Sequence, residues 1–314
     1  MTDLSDPIFT DESKAREHLE AIRWPDFRSC PHCGVAEGTA AVEGKKGTHR
    51  AGLYYCNACK KTFTVTVGTV MERSHVPLHK WVLAFHLMAA SKKGVSAHQL
   101  HRMLGVSYKT AWFMAHRVRE AMTDTDPTPM GGKGKIIEAD ETFIGPQGYN
   151  FKNDEGWKPK LGTGDKYKVV TLVERNGRAR SVKVDKLGTK NIRDVLVTNA
   201  SRHSVLMTDE AGHYAKVGRE FKRHFTVNHG KGEYAKGKFI TTNTVEGFFS
   251  IFKRGMKGIY QHCGEQHLQR YLTEFDFRYS NRIALGIDDA ERRDGAIRGA
   301  EGKRLTYQQP RRVA

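Results

Sequence analysis

The sequence predicts a multidomain α/β protein in which small N-terminal modules precede a mixed-sheet domain. Three observations support this fold class. Two C-x2-C pairs lie close together before residue 60, and apolar residues then recur at helical spacing over residues 77–122. Beyond residue 135, strand-like and helix-like patterns alternate. The length of 314 residues leaves room for two or three domains.

Composition and periodicity together predict where these domains begin and end. Residues 125–135 are rich in Pro, Gly and Thr, which is typical of a linker, and residues 286–314 show no periodicity. We therefore expect an N-terminal helix at 1–24, a zinc ribbon at 25–72, a helix-turn-helix segment at 76–124, a linker at 125–135, an α/β domain at 136–285 and a loose C-terminal tail at 286–314.

The charge balance indicates a polyanionic partner. Lys and Arg number 52 against 35 acidic residues, which gives a formal net charge of +17. An excess of this size favours nucleic acid as the partner, with a merely basic surface as the alternative. The sequence contains neither a secretory signal pattern nor an apolar run long enough to span a membrane. We therefore expect a cytoplasmic protein that is associated with the nucleoid when bound to DNA.

Four of the five cysteines predict a structural metal site. Cys30 and Cys33 form one C-x2-C pair, and Cys56 and Cys59 form a second. Two such pairs can supply the four thiolates of a tetrahedral Zn²⁺ site, whereas a redox C-x2-C needs only one pair. The residues around them, including an alternating run at 62–70, are typical of a zinc ribbon. Cys263 stands apart and is expected to be a structural thiol.

A helix-turn-helix pattern follows the ribbon. Ser96 is positioned to cap a first short helix, Gly105 to terminate it, and Ser107 to cap a second. In this motif the N-terminal residues of the second helix enter the major groove of DNA. Here those residues are Ser107, Tyr108, Lys109 and Thr110. A small helical bundle that does not contact DNA is the alternative.

Three carboxylates of the α/β domain are candidates for metal-dependent chemistry. Asp140 and Asp209 lie in or just after apolar strands, and Glu246 lies on a later helix. Carboxylate oxygens are the ligands that Mg²⁺ and Mn²⁺ prefer, and two such ions can support phosphoryl transfer. On composition, Glu138, Glu141 and Glu210 are equally plausible ligands.

The segment TTNTVEGFFSIFK, residues 241–253, allows two interpretations of Glu246. Asn243 is a suitable N-cap, and Glu246 three residues later fits a capping box. Alternatively, Glu246 completes the acidic site. At 100° per residue, Lys253 falls on nearly the same face of the helix as Glu246.

The chain resembles bacterial insertion-sequence transposases with a DDE catalytic domain, in the group with an N-terminal zinc ribbon and helix-turn-helix. The resemblance covers roughly residues 20–285 and rests on the motifs CPHCG, YYCNACKKTF, SYKTAWFMAHRVR, ADETFIG, MTDEAGHY and NTVEGFFSIFKRGMKGIY. It implies an RNase H-like fold for residues 136–285. It also implies Mg²⁺- or Mn²⁺-dependent cleavage at terminal inverted repeats, followed by transfer of the 3′-hydroxyl to target DNA.

The resemblance also assigns roles to individual residues. Asp140, Asp209 and Glu246 would be the catalytic acids, although related groups have Asn at the third position, which makes Asn243 the alternative. Lys253 also matches a lysine that the family places on this helix. In our own interpretation, Lys253, Arg254 and Lys257 contact phosphates, and His213 either positions the nucleophile or a phosphate or has a structural role. Joining two DNA ends implies a homo-oligomer.

Two rival functions remain open from the sequence. A zinc-ribbon and helix-turn-helix regulator without catalysis would leave the three carboxylates scattered in space. An RNase H-like nuclease would cut DNA without transferring strands.

Overall fold

The computed structural model forms two compact units. It describes residues 3–42, 51–126, 128–145, 150–153, 156–159, 166–228, 230, 235–237 and 239–306. The first unit contains residues 1–124 and 286–314, and the second contains residues 125–285. No helix in these described ranges is both long and apolar enough to cross a membrane.

The first unit begins with helix α1, Glu12–Arg23, and a small antiparallel sheet. The sheet has the strand order β1-β2-β3, and its strands are β1, Thr39–Ala41; β2, Tyr54–Cys56; and β3, Thr62–Phe63. The alternating run at 62–70 has the pattern of a strand, but the strand ends at Phe63. From Thr64 onward the backbone turns, with the Val67 N–H donating to the Thr64 carbonyl at 3.1 Å.

Three helices complete the predicted basic segment: α2, Leu78–Ala90; α3, Ala97–Leu104; and α4, Tyr108–Ala121. The side chains of Ser96 and Ser107 accept hydrogen bonds from the first turns of α3 and α4. Gly105 ends α3 in the left-handed conformation with φ +58°, which a glycine adopts at little cost. The structure confirms the two helices and the caps that were predicted for the helix-turn-helix.

The expectation of a loose C-terminal tail is wrong, because residues 286–314 include helix α9, Asp289–Arg298. Asp288 and Glu291 form a capping box at its start. Arg292 and Arg293 are buried: the Arg292 guanidinium reaches the Ala89 carbonyl of α2 at 3.4 Å. The helix packs on α2 and therefore belongs to the first unit.

The second unit is built around a five-stranded mixed sheet. The unit contains the strands β4, Ile136–Ile144; β5, Asn150–Asn153; β6, Gly156–Pro159; β7, Tyr167–Glu174; β8, Ala179–Val184; β9, Val205–Thr208; β10, Arg223–Thr226; β11, Ala235–Lys236; and β12, Ile240–Thr241. The main sheet has the order β10-β9-β4-β7-β8, while β5-β6 and β11-β12 form separate pairs. Strands β4, β7 and β8 are antiparallel neighbours, whereas β9 and β10 run parallel to β4.

Two pairs of helices cover the two faces of this sheet: α5, Thr189–Asn199; α6, Gly212–Gly218; α7, Asn243–Gly255; and α8, Leu268–Ser280. On β7, Val170 and Leu172 pack in the core with α5 and α6, whereas Val169 and Val173 pack in the core with α7 and α8. This topology is the RNase H-like arrangement that the resemblance implies.

An apolar stripe at helical spacing runs along α7 and is buried. Its members, all buried on the sheet side, are Val245, Phe248, Phe249, Phe252 and Met256. The α-helix ends at Gly255, and residues 256–260 continue as a π-helical turn. Burial of this stripe fixes which face of α7 is left for Glu246 and the basic residues.

Candidate active site and metal centre

The four predicted cysteines come together in one cluster. Their sulfur atoms all lie within 4.8 Å of one another, with Sγ–Sγ distances of 3.7 Å for Cys30–Cys59 and for Cys33–Cys56. A tetrahedral Zn²⁺ with Zn–S bonds of about 2.3 Å requires sulfur atoms about 3.8 Å apart. The cysteines therefore fit a structural zinc ion.

The backbone makes the same turn at both C-x2-C pairs. The Gly34 N–H donates to the Cys30 carbonyl at 2.8 Å, and the Lys60 N–H donates to the Cys56 carbonyl at 2.9 Å. Gly34 and Lys60 both have positive φ angles, +78° and +59°. Backbone N–H groups, first that of Cys59, lower the pKa of Cys56 to about 7, whereas burial raises the pKa of Cys59 to about 12. The cluster would therefore need the charge of a bound metal ion to ionise all four thiols.

A small aromatic cluster supports the metal site. Trp24 packs edge-on against Tyr54 and Phe63, with ring centroids 5.9 and 6.0 Å apart. The Arg28 guanidinium lies 3.6 Å from the centre of the Tyr54 ring. With so few apolar side chains, the ribbon depends on its metal for much of its stability.

The predicted DNA-reading residues lie at the start of α4. Ser107, Tyr108 and Lys109 are exposed, and Thr110 is partly buried. The Tyr108 ring stacks on His98 of α3 with centroids 4.3 Å apart. These positions can reach a groove, because the buried residues of α4 begin at Ala111.

Asp140 lies in the middle of β4, opposite Thr171 of β7, and is largely buried. Its Oδ1 accepts the Glu141 N–H at 2.7 Å. Burial raises the pKa of Asp140 to about 7, and the negative charges of Glu141, Asp209 and Glu246 add to the effect. The three predicted catalytic acids therefore share one electrostatic neighbourhood.

Asp209 directly follows β9, the strand that runs beside β4. Its Oδ1 accepts the Ala211 N–H at 3.1 Å, just before α6 begins. Burial raises the pKa of Asp209, and nearby Glu141 and Glu210 add to the increase. Neighbouring parallel strands thus bring the two aspartates to the same end of the sheet.

Glu246 lies in the first turn of α7, but the predicted Asn243–Glu246 capping box is not formed. The helix begins at Asn243, preceded by Thr242, whose hydroxyl donates to Glu246 Oε1 at 2.7 Å. Asn243 is exposed, and its backbone N–H donates to the Thr241 hydroxyl at 3.1 Å. Asn243 is therefore the first residue of the helix and not its N-cap.

The three acids are spaced more widely than the cysteines. Among the residues that the structure describes, the cysteine cluster is the one group of three or more possible ligands whose atoms all lie within 4.8 Å. Asp140, Asp209 and Glu246 thus do not all meet at a single point.

The other acids that the sequence offered as ligands have different roles. Glu141 accepts the Tyr214 hydroxyl at 2.7 Å, and His213 Nε2 lies 3.4 Å from the same oxygen. Glu210 is exposed and accepts the Gly230 N–H at 3.1 Å. Glu138 is fully buried and is bound to Arg175 and to the start of α7. No signal in the sequence separates these roles, because each depends on a partner far away in the chain.

The predicted phosphate contacts lie on the exposed side of α7 and just after it. Lys253, Arg254 and Lys257 are all exposed. Lys253 Nζ lies 5.9 Å from the centre of the Phe249 ring, and Arg254 donates to the Ser250 hydroxyl at 2.5 Å. Together they leave a basic surface along the helix that carries Glu246.

Comparison with known proteins agrees with this arrangement of modules. Residues 10–62 match a transposase zinc-ribbon domain, and residues 131–280 match an ISXO2-like transposase domain. A Halobacterium salinarum protein described as an uncharacterized protein in transposable element ISH50 is 29% identical over 285 residues. That alignment covers 86% of this chain and 91% of the relative.

Proposed function

Since the chain belongs to the transposases that carry an ISXO2-like domain behind a zinc ribbon, we propose that it mobilises an insertion sequence. In this proposal it binds the terminal inverted repeats, cleaves the DNA there and joins the freed 3′-hydroxyl ends to target DNA. The observation that carries this proposal is the position of Asp140 and Asp209 on neighbouring parallel strands, together with the contribution of the Glu246 charge to the raised pKa of Asp140. Partly buried carboxylates that raise one another's pKa are costly as charges unless they are paired or hold cations.

The acidic site fits divalent metal by the chemistry of its donors. Asp140, Asp209 and Glu246 offer hard carboxylate oxygens, which suit Mg²⁺ or Mn²⁺. A two-ion site suits the wide spacing of the three carboxylates, since they would not all have to hold the same ion. The charges of Asp209 and Glu246 both contribute to the raised pKa of Asp140. When bound, the ions would activate the attacking hydroxyl and stabilise the leaving oxygen.

The chain's own residues would hold the DNA in place. Lys253, Arg254 and Lys257 extend from the helix that carries Glu246 and would contact the phosphate backbone near the scissile bond. Glu246 is our candidate for the third acid because its charge reaches Asp140. Asn243, which is exposed at the helix start, remains the alternative.

The first unit would bind the element's end. Ser107, Tyr108, Lys109 and Thr110 would read base edges in the major groove, and the zinc ribbon would add contacts to the backbone. Because two DNA ends must be brought together, the active form would be a homo-oligomer assembled on DNA.

One assay tests this proposal against its rivals. Purified protein is incubated with Mg²⁺, labelled inverted-repeat DNA and a target plasmid. We expect joined products that disappear in Asp140→Ala and Asp209→Ala. Cleavage without joined products would support a nuclease, and binding without cleavage would support a regulator.

The same assay identifies the third ligand. Glu246→Gln and Asn243→Ala are compared separately. If Glu246 is the ligand, its variant loses cleavage and the Asn243 variant retains it. The reverse pattern would assign the position to Asn243.

A further inference from the structure

Glu138 connects the strand of the first catalytic acid to the helix of the third. It precedes Asp140 by two residues on β4, so both side chains leave the same face of the sheet. Glu138 is fully buried. Its Oε2 accepts the backbone N–H groups of Thr244 and Val245 at 2.8 and 3.1 Å, and its Oε1 accepts the Thr244 hydroxyl at 2.8 Å.

These contacts satisfy the N–H groups that every helix start leaves without an intrahelical partner. In α7 the Glu246 N–H already bonds to the Thr242 carbonyl at 3.1 Å. Thr244 and Val245 are the donors that remain, and Glu138 accepts both. A carboxylate at this end of a helix is also favoured by the helix dipole. The cap of α7 therefore comes from the sheet and not from the helix's own sequence.

Arg175 completes the connection. Its Nε donates to Glu138 Oε1 at 2.5 Å, and its two terminal nitrogens donate to the carbonyls of Phe239 and Thr241 at 2.8 and 2.9 Å. The backbone N–H of Arg175 is bonded to the Ile136 carbonyl at the start of β4. One guanidinium thus ties the sheet to the segment that leads into α7.

The contacts of residue 138 require a carboxylate and not an amide. Both oxygens of Glu138 act as acceptors, and the donors include a charged guanidinium. Glutamine has one acceptor oxygen, and its amide group would point a donor at Arg175 or at the helix N–H groups. Leaving a buried donor without its acceptor is costly, so the helix start would shift.

We propose that Glu138 and Arg175 are positioning residues that hold the first turn of α7 against β4 and so set Glu246 relative to Asp140. Glu246 lies two residues beyond Thr244, within the turn that Glu138 anchors. This inference rests on the proposed function in that it takes Asp140 and Glu246 as metal ligands. It adds that the site's geometry is set by a buried ion pair outside the acidic set.

The test compares Glu138→Gln with Glu274→Gln in the full-length protein. Glu274 is a matched control because it is also fully buried and paired with an arginine, Arg278, in the same unit. It lies on α8 and bonds to Tyr260, away from the first turn of α7. The readouts are Mn²⁺ affinity, measured by titration without DNA, and hydrogen exchange at Thr244 and Val245.

We expect Glu138→Gln to weaken Mn²⁺ binding by about tenfold or more, as loss of an outer partner of metal ligands does. Amide exchange at Thr244 and Val245 should accelerate, and raised Mn²⁺ should restore part of the cleavage rate. Glu274→Gln should leave Mn²⁺ affinity and those two amides unchanged. Equal Mn²⁺ affinities in the two variants and the unmodified protein would overturn the inference.

Asp140→Asn separates failure of this inference from failure of the proposed function. If the acids bind metal, Asp140→Asn loses Mn²⁺ affinity whatever Glu138→Gln does. A protein whose Mn²⁺ affinity is insensitive to Asp140→Asn would refute the metal site itself. Sensitivity to Asp140→Asn without sensitivity to Glu138→Gln would refute only the positioning role.

Discussion

Replacing Asp140 by Asn should raise the free energy of unfolding of the metal-free protein, and this increase should be larger at higher pH. Burial and the neighbouring acids raise the pKa of Asp140 from 3.8 to about 7. The folded carboxyl therefore binds its proton more tightly than the unfolded one, and stability falls as pH rises from about 4 to about 7. At about 1.4 kcal/mol per pKa unit, the ionised Asp140 carboxylate lowers the free energy of unfolding by about 4 kcal/mol at pH 8. Asn carries no charge but keeps an oxygen to accept the Glu141 N–H.

The stabilisation expected from Asp140→Asn should be smaller at acidic pH. At pH 5 the folded carboxyl still holds its proton, so only the interval from 3.8 to 5 contributes, which is about 2 kcal/mol. Native-state hydrogen exchange of β4 amides, without added Mg²⁺, measures the opening free energy at both pH values. Asp194→Asn is the control, because Asp194 is exposed on α5 of the same unit. A gain for Asp140→Asn that is the same at pH 5 and pH 8 would refute the charge argument.

Three further predictions concern the first unit. Cys33→Ser should lower the zinc content and disrupt the packing of Trp24 on Tyr54. Zinc analysis and near-ultraviolet circular dichroism measure these two effects, and retained zinc would contradict the four-thiolate site. Lys109→Ala should weaken binding to inverted-repeat DNA and reduce the slope of log K against log salt by about 1; an unchanged slope would remove Lys109 from the interface. Gly105→Ala should lower the free energy of unfolding by about 1 kcal/mol in urea denaturation because φ is +58° there, and an unchanged midpoint would contradict that strain.

The features that the sequence predicted well are specified by short-range chemistry. The two C-x2-C turns, the serine caps of α3 and α4 and the glycine that ends α3 each depend on residues within about four positions of one another. The apolar stripe of α7 is similarly local. Such features could be located from spacing alone, and the structure has them where they were expected.

Helix α9 was missed because two arginines share its buried face with Ala296 and Ile297. Arg292 and Arg293 are buried there through ion pairs with Asp289 and Asp294. A periodicity argument counts arginine as exposed, so it found no helix-forming pattern. The burial of these side chains depends on packing against α2, α1 and α4, which are distant in the sequence.

The start of α7 was misjudged for a related reason. A capping box assumes that a helix is capped by its nearest residues, and Asn243 and Glu246 have the required spacing. The structure assigns the cap to Glu138, more than 100 residues earlier in the chain. Sequence reasoning could name Glu138 as a buried acid in a strand but had no means to find its distant partner.

The return of the chain to the first unit has a consequence for protein synthesis. Helix α9 covers α2, but it is made after residues 125–285, which form the second unit. A nascent chain can therefore finish its five-stranded sheet on the ribosome while α2 still lacks its cover, because domains generally fold as they emerge. In that order the unit that we propose to recognise DNA is the last to mature, and a messenger cut short before the codon for Asp289 would yield the acidic site without a completed recognition unit.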